Sequence, residues 1–66
     1  MESLRLLDYR EAANFIGLSE YTLRRYVSMG KIAHIKLGSK LVRFEPDSLR
    51  RWIESRRVEP VTRTHR

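Results

Sequence analysis

Two adjacent arginines, Arg24 and Arg25, lie in a central stretch of the sequence whose charged residues are all positive. Residues 21–44 contain six Lys or Arg and no Asp or Glu, whereas residues 1–20 contain two arginines and four acids. The six central cations equal the net charge of the whole chain, +6. Guanidinium and ammonium groups bind phosphate oxygens, and a guanidinium also forms paired hydrogen bonds with the edge of guanine. Charge added only for solubility would mix both signs, so this segment predicts a surface that binds a polyanion.

A first helix is predicted over residues 9–16, ahead of most of the basic segment. Asp8 and Glu11 have the spacing of a capping box, in which the N-cap and N3 side chains each bond a free backbone N–H. Gly17 suits the end of this helix because glycine tolerates the left-handed conformation common there. The apolar residues that share one face at helical spacing are Tyr9, Ala12, Ala13 and Ile16.

A second helix follows at once and carries the two arginines. Ser19 is a favoured N-cap residue, and Gly30 favours termination after about Met29. Leu23 and Val27 mark the buried side of this helix. The side chains that point the other way are Tyr21, Arg24, Arg25 and Ser28. Two short helices joined by a turn that contains glycine indicate a helix-turn-helix, and an α-helix fits the major groove of DNA.

The apolar period changes to two after the second helix, which predicts a β-hairpin, or wing, over residues 34–44. Its alternating apolar positions are Ile35, Leu37, Val42 and Phe44. Gly38 and Ser39 interrupt the alternation and allow a tight turn, which would bring Lys40 toward a phosphate backbone or a minor groove. The alternative is an ordinary hairpin whose lysines keep a sheet edge soluble.

A third helix is predicted from Pro46, which suits the first helical position because its missing N–H is not needed there. Its apolar stripe, which should close the core, comprises Leu49, Trp52 and Ile53. The arginines of this helix form a solvated face, with Asp47–Arg51 and Arg50–Glu54 pairs at i, i+4. Residues 1–57 are therefore one predicted domain, and residues 58–66 a flexible basic tail.

Composition argues against several classes of protein. The chain has 66 residues, too few for more than one small core, and no cysteine, so no disulfide or thiolate metal site is expected. Its two histidines, His34 and His65, are far apart and lack companion ligands for zinc. No catalytic nucleophile stands with a histidine and an acid, and no apolar run reaches the roughly 20 residues of a membrane span. We expect a soluble, cytoplasmic, non-enzymatic protein without cofactors.

A series of short motifs runs along the chain in a fixed order. They are Leu6-Leu7, Glu11-Ala12-Ala13, Ile16-Gly17-Leu18-Ser19, Thr22-Leu23-Arg24-Arg25, Gly30-Lys31-Ile32, Lys36-Leu37-Gly38, Arg43-Phe44, Asp47-Ser48-Leu49 and Trp52-Ile53. The series covers about residues 6–53 and resembles the excisionase family of MerR-like winged-helix proteins. One departure is Ala33-His34, where many members of the family have a proline.

The resemblance implies a winged helix-turn-helix that is mostly α with a small β-hairpin. Its second helix would enter the major groove, and its wing would contact the adjacent minor groove or backbone of double-stranded DNA. The candidate contacts on the second helix are Ser19, Tyr21, Thr22, Arg24, Arg25 and Ser28. Those on the wing are Lys36, Gly38, Ser39, Lys40 and Arg43. Arg24 and Arg25 are the leading candidates for base contacts.

The same resemblance implies two biological roles. Excisionases of phages and mobile elements bind attachment-site DNA in several copies, bend it and direct an integrase toward excision. Because one small module grips only a short half-site, we also expect head-to-tail contacts between copies on repeated sites. AlpA-like members instead regulate transcription. A short chain without a sensor or dimerisation segment favours the excisionase, in a bacterial or phage-infected cell. A third possibility, a protein-binding adaptor that pairs its wing edge with a partner strand, would show no salt-dependent affinity for DNA.

Overall fold

Three helices and a two-stranded antiparallel hairpin make up residues 5–60, the part of the chain that the computed structural model describes. Their order is α1 (Tyr9–Ile16), α2 (Glu20–Ser28), β1 (Ile35–Lys36), β2 (Val42–Arg43) and α3 (Pro46–Ser55). This arrangement confirms the predicted winged helix-turn-helix. Within the described residues, no helix is long and apolar enough to cross a membrane.

Side-chain caps fix the starts of the first two helices. The Glu11 backbone N–H donates to the Asp8 carboxylate at 2.8 Å, and the Asp8 N–H donates to the Glu11 carboxylate at 3.0 Å. The Thr22 N–H donates to Ser19 Oγ at 3.1 Å. Both predicted N-caps are confirmed. Because each satisfies backbone donors that the helix leaves free, a turn of residues 17–19 suffices between the two helices.

A Schellman motif ends α2 and turns the chain toward the hairpin. Gly30 has a φ of +67°, a left-handed conformation that glycine adopts without strain. Its N–H donates to the Val27 carbonyl at 2.9 Å, and the Lys31 N–H donates to the Tyr26 carbonyl at 2.8 Å. Met29 is the C-cap, so the helix ends one residue earlier than expected.

A histidine orders the entry to the hairpin, where many family members have a proline. His34 Nδ1 lies 2.8 Å from the Ile32 carbonyl oxygen. Because a carbonyl oxygen only accepts hydrogen bonds, Nδ1 carries the proton in this contact. The ring therefore closes a local turn ahead of β1 and holds the chain through a side chain instead of a proline ring.

The hairpin is short, and its tip projects beyond the core. Ile35 pairs with Arg43, and Lys36 pairs with Val42. Leu37, which the alternation placed on the apolar side, is instead 55% exposed. The reason is that β1 ends at Lys36, so Leu37 already lies in the projecting turn. The predicted hairpin is confirmed, but its inward face is shorter than the sequence pattern indicates.

The core lies where the three helices meet the base of the hairpin. Its buried residues are Leu7, Ala12, Ala13, Leu23, Ile32, Val42, Phe44 and Leu49. Leu7 and Phe44 also exchange two backbone hydrogen bonds of 2.8 Å, which tie the segment before α1 to the hairpin. Trp52 packs half-buried against this core, whereas Ile53 lies on the outer flank of α3 and is 37% exposed. The apolar stripe of α3 is therefore narrower than predicted.

Within the described residues, the ion pairs formed by the acidic residues of α3 join residues three apart, not four. Arg50 Nη1 lies 2.7 Å from Asp47 Oδ1, and Arg57 Nη2 lies 2.8 Å from Glu54 Oε2. Both spacings bring side chains together on a helix, and here the nearer partner is used in place of the predicted i, i+4 pairs. The Arg57 guanidinium lowers the pKa of Glu54 through its hydrogen bonds and its charge.

Candidate nucleic-acid interface

A groove of about 460 Å³ lies between α2 and the hairpin. The polar and charged side chains that line it are Tyr9, Arg24, Ser28, His34, Lys36, Ser39 and Lys40. The apolar side chains of Val27 and Val42 also line it, and Val42 is buried in the core beneath. Among the described residues, no acidic side chain contributes to this groove. The charged side chains that line the groove itself are therefore all positive, which suits an anion.

Three cations reach this groove from separate parts of the chain. Arg24 comes from α2, Lys36 from β1 and Lys40 from the tip of the hairpin. Each was a predicted contact, but the sequence did not show that they share one groove. They meet because the Schellman turn brings the hairpin back beside α2. Cations on two sides of a groove can neutralise phosphates of one nucleic-acid strand that passes between them.

Arg24 is held against the ring of a tyrosine from α1. Its guanidinium carbon lies 4.1 Å from the centroid of the Tyr9 ring, a cation–π contact. Tyr9 in turn packs edge-on against buried Phe44, with ring centroids 5.4 Å apart. Sequence reasoning placed Tyr9 only on the buried face of the first helix. No spacing rule links it to Arg24, because the contact joins two helices across the turn.

Arg25 lies apart from the groove, on the exposed face of α2. Its guanidinium is 5.9 Å from the ring centroid of Tyr21, one helical turn earlier. Tyr21 is 70% exposed, so both side chains are open to a partner. Adjacent residues point about 100° apart around a helix with roughly 3.6 residues per turn. The two arginines predicted as a pair are therefore directed to different surroundings.

Ser19 and Thr22, two further predicted contacts, are engaged with each other. Ser19 Oγ accepts the Thr22 backbone N–H and donates to Thr22 Oγ1 at 3.0 Å. Thr22 is half-buried, whereas Ser19 is exposed. The Ser19 hydroxyl caps the start of α2, and the Thr22 hydroxyl accepts its hydrogen bond, so both side chains help to hold this helix.

Two predicted wing residues, Gly38 and Arg43, do not line the groove. Arg43 is half-buried and donates from Nη1 to the Val42 carbonyl at 2.8 Å. It lines a neighbouring depression of about 300 Å³ that also contains Asp8 and Glu20. The Gly38 carbonyl accepts the Leu41 N–H at 3.3 Å and helps close the hairpin turn. The wing contacts that share the groove are thus Lys36, Ser39 and Lys40.

Comparison with known proteins agrees with this arrangement. The family model of the helix-turn-helix domain matches residues 6–57. A protein named excisionase from Mycobacterium phage D29 is 40% identical over 40 residues, which are 61% of this chain and 71% of the relative. No solved structure shows significant similarity. The chain therefore belongs to the excisionase-type helix-turn-helix family, whose members bind double-stranded DNA.

Proposed function

We infer that this chain is an excisionase, an architectural factor that bends attachment-site DNA and directs an integrase toward excision. The observation that carries this inference is the acid-free groove between α2 and the hairpin, which can hold a DNA strand beside an inserted helix. The identity to a phage protein named excisionase supports the same role. A catalytic role finds no support, since the chain's distinctive features are cations placed to bind phosphate.

The geometry favours different contacts for the two arginines. Arg25 and Tyr21 are exposed on α2 and can reach base edges in a major groove. Arg24 lines the groove opposite Lys36 and Lys40 of the hairpin, which favours a phosphate contact over the base contact expected from sequence. In this assignment Arg25 supplies most of the base preference of α2. The cations of the groove hold α2 on the DNA backbone and do not read the base sequence.

Ser28 of α2 and Ser39 of the hairpin line the same groove and carry small hydroxyl donors. We assign both to phosphate oxygens, because a hydroxyl can donate there regardless of the base sequence. Lys40, at the exposed tip of the hairpin, would lead the wing toward the adjacent minor groove. Neither Gly38 nor Arg43 lines the groove. We assign Gly38 to the turn of the wing and Arg43 to its flank.

A domain of this size grips only a short segment of DNA. A single module buries on the order of 600–1,000 Å², which limits the specificity of one copy. We therefore propose that several copies bind adjacent repeats with head-to-tail contacts. Each copy would insert a helix in a major groove and a wing beside it, so that small bends add along the array.

The DNA-binding domain is assigned to residues 1–57, and a basic tail to residues 58–66. Within the described part, α3 ends at Ser55 and Val58 is 90% exposed, which supports a boundary close to residue 57. Residues 61–66, which include most of the predicted tail, lie outside the described residues. In this proposal the tail adds charge that attracts DNA but does not read its sequence.

The proposed function is tested by bending and cooperativity on a defined DNA. Sites are first selected from a random-sequence duplex library with the full chain. A fragment with several selected sites in tandem is then compared with a single-site fragment, by phasing gels and by binding isotherms. An excisionase is expected to fill the tandem sites cooperatively and to increase the bend with each copy.

Other outcomes discriminate between the remaining roles. Straight DNA with independently filled sites would contradict the architectural role and leave a simple transcriptional regulator. A weak affinity that does not change with salt would instead favour the protein-binding adaptor. If the fragment bends, an excision reaction with a candidate integrase tests the directional role. Failure to stimulate excision there would contradict the integrase partnership alone.

A further inference from the structure

Tyr9 joins the DNA-facing groove to the protein core. One face of its ring supports the Arg24 guanidinium at 4.1 Å, and its ring also meets buried Phe44 at a centroid distance of 5.4 Å. Phe44 is fully buried and is bonded to Leu7 through the backbone. The ring that contacts Arg24 is therefore also packed against a fully buried residue of the core.

The position of Arg24 matters because acids lie close by. Arg24 also lines the neighbouring depression, which contains Asp8 and Glu20. An arginine side chain is long and flexible, and an ion pair with either carboxylate would remove its charge from the groove. Among the described residues, no salt bridge joins Arg24 to an acid. The guanidinium instead lies over an aromatic face.

A cation–π contact leaves the guanidinium free to bind an anion. A guanidinium that stacks flat on a ring, as a distance of 4.1 Å allows, keeps its N–H groups in its own plane and directed outward. The Tyr9 ring thus restrains Arg24 without consuming its hydrogen-bond donors. A carboxylate partner would consume them. A restrained side chain also loses less conformational entropy when it binds.

We propose that Tyr9 is a positioning residue for DNA binding, which holds the Arg24 guanidinium in the groove and away from Asp8 and Glu20. The proposal rests on the proposed contact between Arg24 and a DNA phosphate. Tyr9 itself need not touch DNA. Tyr9 orients the Arg24 guanidinium. Without the ring, Arg24 would populate conformations in the groove and others paired with the two carboxylates.

The test is a double-mutant cycle measured with a short random-sequence duplex at low salt. Tyr9→Phe keeps the aromatic face and should bind within about twofold of the wild type. Tyr9→Leu removes that face and should lower affinity about three- to tenfold, the size of a modest cation–π contact. In the Arg24→Ala background, Tyr9→Leu should change affinity less than about twofold, because the side chain that it positions is gone.

A matched control separates positioning from stability. Tyr26 is also half-buried and packs on an aromatic ring, that of Trp52, at 5.9 Å, but it does not line the groove. Tyr26→Leu should therefore lower the melting temperature with little loss of affinity at a temperature where the domain is folded. Glu20→Gln should restore affinity to Tyr9→Leu, because one competing carboxylate is removed.

Several results would overturn the proposal. Equal losses in Tyr9→Phe and Tyr9→Leu would show that the ring face is not the cause, and additive losses of Tyr9 and Arg24 would show that the two act independently. If Arg24→Ala alone does not lower affinity, the proposed phosphate contact is wrong, and the inference about Tyr9 is then wrong as well. If Arg24→Ala costs affinity but Tyr9→Leu does not, only the inference about Tyr9 fails.

A measurement on the free wild-type chain covers the case in which Tyr9→Leu does not fold. An aromatic ring 4.1 Å from the guanidinium should shift the side-chain proton resonances of Arg24. Tyr9→Phe should preserve that shift, since it keeps the ring. Random-coil shifts for the Arg24 side chain in the folded protein would contradict the stacking on which the proposal depends.

Discussion

Trp52 Nε1 donates a hydrogen bond to the backbone carbonyl of Lys31 at 2.8 Å, which joins α3 to the turn between α2 and the hairpin. Arg56 Nη2 donates to the same carbonyl at 3.3 Å, and the guanidinium carbon of Arg56 lies 5.0 Å from the Trp52 ring centroid. Neither side chain lines the groove. Both hold the turn whose path sets the hairpin beside α2, so the shape of the groove depends on a helix outside it.

Replacing Trp52 by Phe should lower the free energy of unfolding by about 1–2 kcal/mol. The smaller ring keeps some packing but loses the bond to Lys31 and part of the apolar contact. Urea denaturation followed by circular dichroism measures the change, because the variant removes the single tryptophan that fluorescence would report. Arg51→Ala, on the exposed side of the same helix, should change stability little. Equal stability of the Trp52 variant and the wild type would contradict the role of this bond.

Gly30→Ala should destabilise the domain by about 1 kcal/mol or more through backbone strain. Gly30 has a φ of +67°, and no atom lies within 4 Å of an added Cβ, so the cost is conformational and not steric. Gly38→Ala is the control, because Gly38 has no positive φ and its Cβ would make only an ordinary contact of 3.6 Å with Leu41. Thermal melts of both variants test the prediction. A larger loss in Gly38→Ala than in Gly30→Ala would contradict the assigned turn.

Much of the fold could be predicted because its signals are local. Each signal depends only on residues a few positions away. These signals are the caps at Asp8 and Ser19, the glycine after α2 and the change of apolar period. The bounds of α1 and the order of all elements follow from them. Leu37 and Ile53 were misplaced because their exposure depends on where the strand and the core end, which no local pattern records.

The candidate site was only partly predictable for the same physical reason. The basic segment and outward face of α2 identified the cations, but the convergence of Arg24 with Lys36 depends on a long-range path of the chain. The contact between Tyr9 and Arg24 joins two helices, and the bond from Trp52 to Lys31 spans 21 residues. Such contacts come from packing and leave no spacing rule in the sequence.

Arg25→Ala should relax base preference, with a loss of about 1–3 kcal/mol on the selected site. Lys36→Ala should instead weaken binding to selected and random duplexes by a similar factor, because a phosphate contact does not depend on sequence. Repeating the site selection with each variant provides the measurement. Full sequence discrimination by Arg25→Ala would show that this residue does not read bases.

Replacing Ser39-Lys40 by Gly-Ala should reduce affinity and DNA bending while the fold survives. Both side chains are exposed at the tip of the hairpin and outside the core, so the melting temperature should stay close to that of the wild type. Phasing gels on a tandem-site fragment measure the bend. An unchanged bend would mean that curvature arises from contacts between copies or from the basic tail.

The salt dependence of binding to a random-sequence duplex shows whether the groove between α2 and the hairpin binds DNA. Two variants with the same loss of charge are compared with the wild type. One removes the groove cations by Arg24→Ala, Lys36→Ala and Lys40→Ala, and the other removes exposed cations elsewhere by Arg5→Ala, Arg50→Ala and Arg51→Ala. Each phosphate contact contributes about 0.9 to the slope of log affinity against log salt.

If the groove holds the DNA backbone, the wild type shows a steep slope, and the groove variant loses roughly one unit of slope for each contact removed. The control variant should keep a slope close to that of the wild type. A wild-type affinity that does not change with salt would contradict DNA binding through this surface. Equal slopes in the two variants would show that net charge, not the groove between α2 and the hairpin, carries the interaction.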